Sequence, residues 1–313
     1  MKFTVVRLKP KGPFHIGEGE GWYEGSKPFI PSDTLFSALC HCYNLLYGDL
    51  DNFLRGFLEG MPPFLVSSAF PYWQDNYFFP VPKNQIPKEK AAKKIQFVDI
   101  IGLEKLLSGE ALEKIIAEIK TIPFNKLYPW RIDNVPRIGL NRLTNHPGEN
   151  FFHFGQVTYS EDAGLFVLIK FKDNIIKNKL LACLNLLVHE GIGGDRTCGR
   201  GLFEKPDFSD IELKLLSNPD AVYSLSLYYP TKNELSSIKE GYYEIEERKG
   251  YIYSPYGRSL RRRSIRMFKE GSVFPSNNER IGSLVDVTPD AFTAHKVYRY
   301  GFIFPLPCKM EVV

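Results

Sequence analysis

Residues 191–201 read GIGGDRTCGRG, and five of these eleven positions are glycine. One glycine is enough to end a helix. Five allow left-handed backbone and let a polymer come close to the main chain. Successive N–H groups in such loops form concavities that bind anions, and Arg196 and Arg200 add planar forks that match phosphate. The chemistry indicated is polyanion binding at Gly191, Gly193, Gly194, Arg196, Gly199 and Arg200. The plainer reading of the same glycines is a flexible connector from helix to strand. Three familiar catalytic loops do not fit. There is no Gly-Lys-Ser/Thr ending for a triphosphate loop. Arg196 stands where a dinucleotide fingerprint needs its third glycine. Arg196 also replaces the second carboxylate that two-metal chemistry would want after Gly193, Gly194 and Asp195.

A second basic segment, residues 258–269 (RSLRRRSIRMFK), carries Arg258, Arg261, Arg262, Arg263, Arg266 and Lys269 with no acid among them. On a hairpin these would track phosphates, with Tyr251, Tyr253, Tyr256 and Phe268 near enough in sequence to stack bases. Charges guarding an edge strand are the simpler account. RNA binding is favoured because clustered positive residues repel one another unless an anion joins them. Arg131, Arg137 and Arg142 form a lesser strip. His15, in FHIGEGEG, could be a general acid–base for RNA cleavage. It would need a partner such as Tyr23, Lys27 or His41, and hydrogen bonding to RNA or to loop backbone is the expected role. His146, His153, His189 and His295 lack metal-ligand spacing. The five cysteines are scattered without a C-x-x-C pair, so neither a disulfide framework nor zinc is expected. No cofactor or metal is called for.

These groups need a scaffold. A net charge of +4 over 313 residues excludes a polycationic tail but permits a local basic groove. No apolar run approaches the roughly 20 residues that span a bilayer, and the N-terminal apolar stretch is too short for a signal peptide. Cytoplasmic residence is the expectation. Residues 3–8 form a β-branched strand ended by Lys-Pro-Lys-Gly-Pro. A helix starts with Ser32 as N-cap, carries Leu35, Ala38, Leu39, Cys42 and Leu46 on one face, and stops at Gly48. Residues 62–82 read as two short strands, and 151–160 and 164–171 as two strong strands joined by a tight turn over 161–163. A second helix runs over about 175–190, with a strand near Leu202. A fresh strand follows from Ala221, then helix-compatible 231–241, further hairpins, and one closing strand over 295–307. Strand–helix–strand–strand–helix–strand followed by a partial second round predicts an α+β protein with antiparallel sheets. Two domains are expected, 1–218 with an insertion at about 83–150, and 219–313.

FHIGEGEG, the helix around SDTLFSAL, PRIGLNRLTN, GIGGDRTCGRGLF and VYRYGFIFPLP occur in the order seen in a known family. The chain resembles the guide-handle-binding subunits of type III-A CRISPR effector complexes, the Csm complexes. They belong to the repeat-associated mysterious protein (RAMP) superfamily, whose mark is a Gly-rich loop after the second helix. The similarity covers most of the chain, and the SDTLFSAL helix is its most specific part. The resemblance implies two tandem modified ferredoxin-like (RRM-like, βαββαβ) domains that bind the 5′ repeat-derived handle of crRNA. It also implies docking between a large polymerase/cyclase-like subunit and a repeating backbone subunit, without nuclease activity, in antiviral defence. Carried over by motif, the handle-binding candidates are His15, Gly17, Ser32, Arg137, Arg142, Gly193, Gly194, Arg196, Gly199 and Arg200. The Arg258–Arg266 strip matches no family motif and rests on charge alone. Two alternatives stand beside this reading: a His15-dependent, metal-independent crRNA-processing endoribonuclease, and the equivalent type III-B subunit.

Overall fold

In β1 (Lys2–Leu8) apolar residues point both ways, so the strand has to be covered on both faces. Phe3 and Val5 enter one core cluster, and Val6 and Leu8 enter another. The computed structural model describes residues 1–19, 22–123, 126–141, 143–146, 151–235, 238–254, 257, 259–276 and 281–313. After β1 come β2 (Gly17–Gly19) and β3 (Trp22–Ser26), which pair with each other. Then follows α1 (Ser32–Tyr47).

Pro31, not Ser32, is the N-cap of α1, and no side chain caps it. Ser32 sits in the first turn and is wholly buried. The helix ends as expected, with Gly48 left-handed at φ 67°. A second helix, α2 (Leu50–Leu58), begins almost at once, which the sequence pattern did not predict; it buries Phe53, Leu54 and Phe57. Residues 62–82 hold β4 (Phe64–Val66), β5 (Phe70–Trp73), β6 (Asn76–Tyr77) and β7 (Phe79–Pro80), more pieces than two strands.

The segment 83–150 contains β8 (Phe97–Val98), α3 (Ile100–Leu107), α4 (Leu112–Ile115), β9 (Thr121–Ile122) and β10 (Trp130–Ile138). It is not merely an appendage. Leu103, Leu106, Leu107, Leu112 and Ile115 all lie in the core cluster that contains Phe3 and Val5. β10 forms a nine-residue antiparallel hairpin with β11 (Phe151–Tyr159), Trp130 facing Tyr159 and Ile138 facing Phe151. β12 (Ala163–Phe171) and α5 (Asn174–Glu190) follow as expected, the Asp173 carboxylate capping α5 by accepting from the Ile176 amide at 2.9 Å. The next strand, β13 (Asp207–Glu212), starts later than Leu202.

The main sheet runs β13–β1–β12–β5–β6, with β4 also on β12, and its pairings are antiparallel. In β12, Leu165, Val167 and Ile169 face α1, α2 and α5, while Phe166 and Leu168 face the other cluster. That alternation is the two-residue period of a strand buried on both sides.

Beyond residue 219 lie β14 (Ala221–Ser224), β15 (Ile245–Arg248), β16 (Ile265–Phe268), β17 (Val273–Pro275), β18 (Gly282–Asp286), β19 (Tyr298–Phe302) and β20 (Pro305–Cys308). No α-helix occurs here among the described residues, so helix-compatible 231–241 is turns where described; residues 236 and 237 lie outside the described residues. The closing segment makes two strands, β19 on β18 and β20 on β14. Ala221, Tyr223 and Leu306 fill one core cluster, and Tyr300 and Phe302 the other. The fold is α+β and antiparallel, with its C-terminal part packed into both sides of the main sheet.

Candidate nucleic-acid interface

The Gly-rich loop lies directly on the segment that carries His15. The Gly194 amide donates to His15 O at 2.9 Å and the Gly201 amide to Pro13 O at 3.2 Å. One glycine is required by this contact and another by the closing of the loop on itself. A Cβ on Gly193, at φ 96°, would stand 2.2 Å from His15 O, and one on Gly201, at φ 69°, would stand 2.0 Å from Ile192 O. These glycines serve chain-to-chain packing before anything else.

That changes the expected cradle of free amides. Those of Gly191, Ile192, Gly194, Cys198, Gly199, Arg200 and Gly201 all donate to the protein's own carbonyls. Within this loop the amides of Gly193, Asp195, Arg196 and Thr197 have no backbone partner among the described residues, at the short turn that ends in the 3₁₀ segment Arg196–Cys198. The cradle is therefore one turn wide.

Side chains converge on this turn. Asp195, left-handed at φ 58°, accepts from Arg137 at 2.8 Å and lies 3.6 Å from Arg200 Nε. Both guanidiniums sit over the Phe154 ring, 5.3 and 5.8 Å from its centroid. Arg200 also donates to the Gln156 side chain. On the other flank Arg196 lies 4.5 Å from the ring centroid of Tyr253, a residue 66% exposed. Arg137, Arg196 and Arg200 thus come together as expected, but Arg137 and Arg200 share an acid rather than standing unpaired. Phe154 was missed by sequence reasoning, although the aromatic run in FFHF was the available signal.

His15 is buried beneath this cluster. Its Nδ1 lies 2.8 Å from Gly155 O, which makes that nitrogen the N–H donor, and its ring packs 4.3 Å from Phe154. Burial is the main cause holding its pKa below the usual 6.5, with the Arg200 charge adding to it, and only partly offset by the Gly155 bond and Asp195. His15 is thus a neutral prop between β11 and the loop. None of the partners weighed for cleavage joins it. Lys27 binds Glu246 at 2.6 Å, Tyr23 packs on Phe152, and His41 Nε2 lies 3.4 Å from Glu190 on α5.

Other candidates separate. Gly17 is exposed in β2, close to the His15 ring. Ser32 cannot meet RNA here: its hydroxyl accepts from the Leu227 amide at 3.0 Å, and its own amide donates to Ser68. Arg142 and Arg258 lie outside the described residues. The remaining strip is not a row of uncompensated charges. Arg261 packs by Tyr251, and Arg263 reaches Asp286 at 3.4 Å. Arg266 lies opposite Glu247 in the β15–β16 pair. Arg262 turns inward and donates to Tyr251 O, where burial and the nearby Arg299 charge lower its pKa to about 10. Lys269 binds Glu244 at 2.8 Å. The acids come from elsewhere in the chain.

Among the described residues no cluster could hold a metal ion, and no helix is long and apolar enough to cross a membrane.

Comparison with known proteins adds family evidence. The profile of the RAMP superfamily matches residues 7–204, and that of the CRISPR Csm4 C-terminal domain matches residues 217–308. The CRISPR system Cms protein Csm4 of Methanocaldococcus jannaschii is 28% identical, over 98% of this chain and 97% of that protein. In fold, the chain matches one in the crystal structure of the Csm3–Csm4 subcomplex of the type III-A CRISPR–Cas interference complex. The TM-score is 0.65 at 22% identity, covering 98% of this chain and 99% of the other. A chain in the crystal structure of the Csm1–Csm4 cassette with cA4 matches at TM-score 0.63 and 20% identity, covering 100% and 99%.

Proposed function

This chain belongs to the RAMP superfamily, and on that premise we propose that it is the Csm4-type subunit of a type III-A effector complex. It holds the 5′ handle of the crRNA and sits between a Csm1-like large subunit and a Csm3-like backbone subunit, inside the cell. It acts by holding RNA and not by cutting it. The strand order β13–β1–β12–β5, with α1 following β1 and α5 following β12, supports a ferredoxin-like first unit. β14, β17 and β20 serve as a reduced second unit.

One observation carries the reading. Arg137, Arg196 and Arg200 gather at a glycine-built turn, each against an aromatic ring, with amides of residues 193 and 195–197 beside them. Asp195 accepts the same donors that a phosphate would, so a phosphate can replace it at Arg137 and Arg200. Phosphate contacts set register, and exposed rings such as Tyr253 stack splayed bases. His15, 8% exposed with Nδ1 committed to a carbonyl, supports a positioning role over catalysis.

The test is handle binding by wild type and by the Arg196→Ala/Arg200→Ala double variant across a salt series. Each phosphate contact on a single strand contributes about 0.7 to the log–log salt slope. The variant's slope should therefore fall by about 1.4 with its fold kept. An unchanged slope, or cleavage of repeat RNA abolished by His15→Ala, overturns the proposal.

A further inference from the structure

Away from the Gly-rich loop a cleft of about 740 Å³ opens where the end of β3, the β7–β8 pair, the start of β10 and the segment after β16 meet. One wall is aromatic. Phe29, Phe97 and Trp130 follow one another at 6.3 and 6.2 Å between ring centroids, and Tyr128 lies 5.4 Å from Trp130. Tyr128 is 43% exposed, so this wall is open and not sealed as core. Lys27, Lys83, Lys93 and Lys269 also line it, Lys27 buried and Lys93 exposed.

Lys27 is paired with Glu246 at 2.6 Å, but the other three lysines outnumber their ion-pair partners. Lys83 and Lys269 share the single Glu244 carboxylate, at 2.6 and 2.8 Å. Burial works against ionising Glu244, but bonds from these two ammonium groups hold its carboxyl down to about 2. Lys93 is exposed and has no ion pair among the described residues. Gln96 and Glu18 at the walls offer donors and acceptors to a ring edge. Flat rings with cations at the rim and a few polar edges match a base with its phosphate. The volume falls in the range of small-ligand sites.

β10 connects this cleft to the other site. Trp130 lines the cleft and Arg137 lies at the Gly-rich loop, seven residues or roughly 23 Å further along the strand. We infer that the cleft seats one unstacked nucleotide of the same single-stranded RNA whose phosphates meet Arg137, Arg196 and Arg200. The inference rests on the RNA-holding function proposed above and adds a second point of grip.

The experiment uses the full chain and handle RNAs carrying 4-thiouridine at one position at a time. One position should crosslink to the peptide bearing Tyr128 and Trp130. Trp130→Ala should weaken binding about five- to a hundredfold, the range for losing one stacked base. Its salt slope should stay at the wild-type value, because no charge is lost, and Trp130→Phe should keep most of the affinity. Lys93→Glu, at an exposed position, gives a second reading that does not depend on packing, and should weaken binding and lower the slope. If both variants bind as wild type does and no crosslink reaches this peptide, the cleft inference falls while the loop's role stands. If wild type binds no handle RNA at all, both fall together.

Discussion

Asp33 and Asp195 each lie between two arginines, yet the two sites differ in every physical respect that decides a role. Asp33 is 2% exposed and accepts a two-pronged bond from Arg248, at 2.9 and 3.1 Å, and another from Arg299. Those arginines lie 215 and 266 positions away in sequence. Arg248 continues to Glu246 at 2.7 Å, and Glu246 to Lys27 at 2.6 Å. Burial alone would raise the Asp33 carboxyl, but the Arg248 and Arg299 charges together hold it well below the usual carboxylate range. Asp195 has a side chain 28% exposed and partners 30% and 15% exposed. The first site is a staple: its charges cannot find another partner without opening the core. The second can exchange its acid for a phosphate, because water and ligand reach it. Counting ion pairs would make these sites equivalent, and burial separates them.

The largest effect expected from this contrast comes from Asp33→Ala. Removing one member of a buried charge network costs about 3–5 kcal/mol. Urea midpoints of the full chain should fall accordingly, and a loss under about 1 kcal/mol, the scale of an exposed pair, would show that the network is not what ties α1 to the C-terminal strands. Asp195→Asn should behave differently. As a partly exposed pair it should change stability by less than about 1 kcal/mol. With a like charge gone from beside the RNA, handle affinity at low salt should rise about two- to fivefold. Weaker binding would mean that Asp195 is needed to aim the arginines.

The smallest effect is a pH signature. The folded-state pKa of His15 lies below 6.5, so between the two values the unfolded chain binds more protons than the folded one. Stability should be flat above pH 6.5 and decline gently below it. His15→Asn, which keeps a donor toward Gly155 O, should remove that decline. Asp33 is likewise depressed relative to its usual 3.8, so its contribution persists down to that pH and is lost below it. In urea midpoints taken from about pH 8 to about pH 3, one step starting below 6.5 is expected and then an acid loss from the depressed carboxylates, Glu244 and Glu246 below 4.5 and Asp33 below 3.8. A profile without the upper step removes the buried neutral His15 from the account.

Local features of the chain are legible in its residues. β1, α1, the strands β11 and β12 with the tight turn between them, and α5 all follow from periodicity and turn residues spanning a few positions. That β11 leaves that turn to pair with β10, while β12 pairs with β1, β4 and β5, does not. α2 escapes because it begins two residues after the glycine that ends α1, so one stop signal closes the whole region in the sequence pattern. The final segment reads as a single strand because its alternation is continuous across Ile303 and Phe304. Only its neighbours, β18 and β14, divide it. In the candidate site, Arg137, Arg196 and Arg200 are recognisable by type. The shared acid is not, nor is the inward turn of the loop's amides.

Sequence by itself determined residue chemistry, the run of most elements and the family, because these depend on side-chain type and on neighbours within about one helical turn. Tertiary structure alone decided which charges are neutralised. It sealed Ser32 and Asp33 into the core, gave the arginine strip partners from other segments (Tyr251 for Arg261 and Arg262, Asp286 for Arg263), and left the Asp195 turn and the Trp130 cleft within reach of solvent. The physical reason is that an ion's worth is set by the dielectric and the partners around it, and both are assembled by contacts between residues hundreds of positions apart.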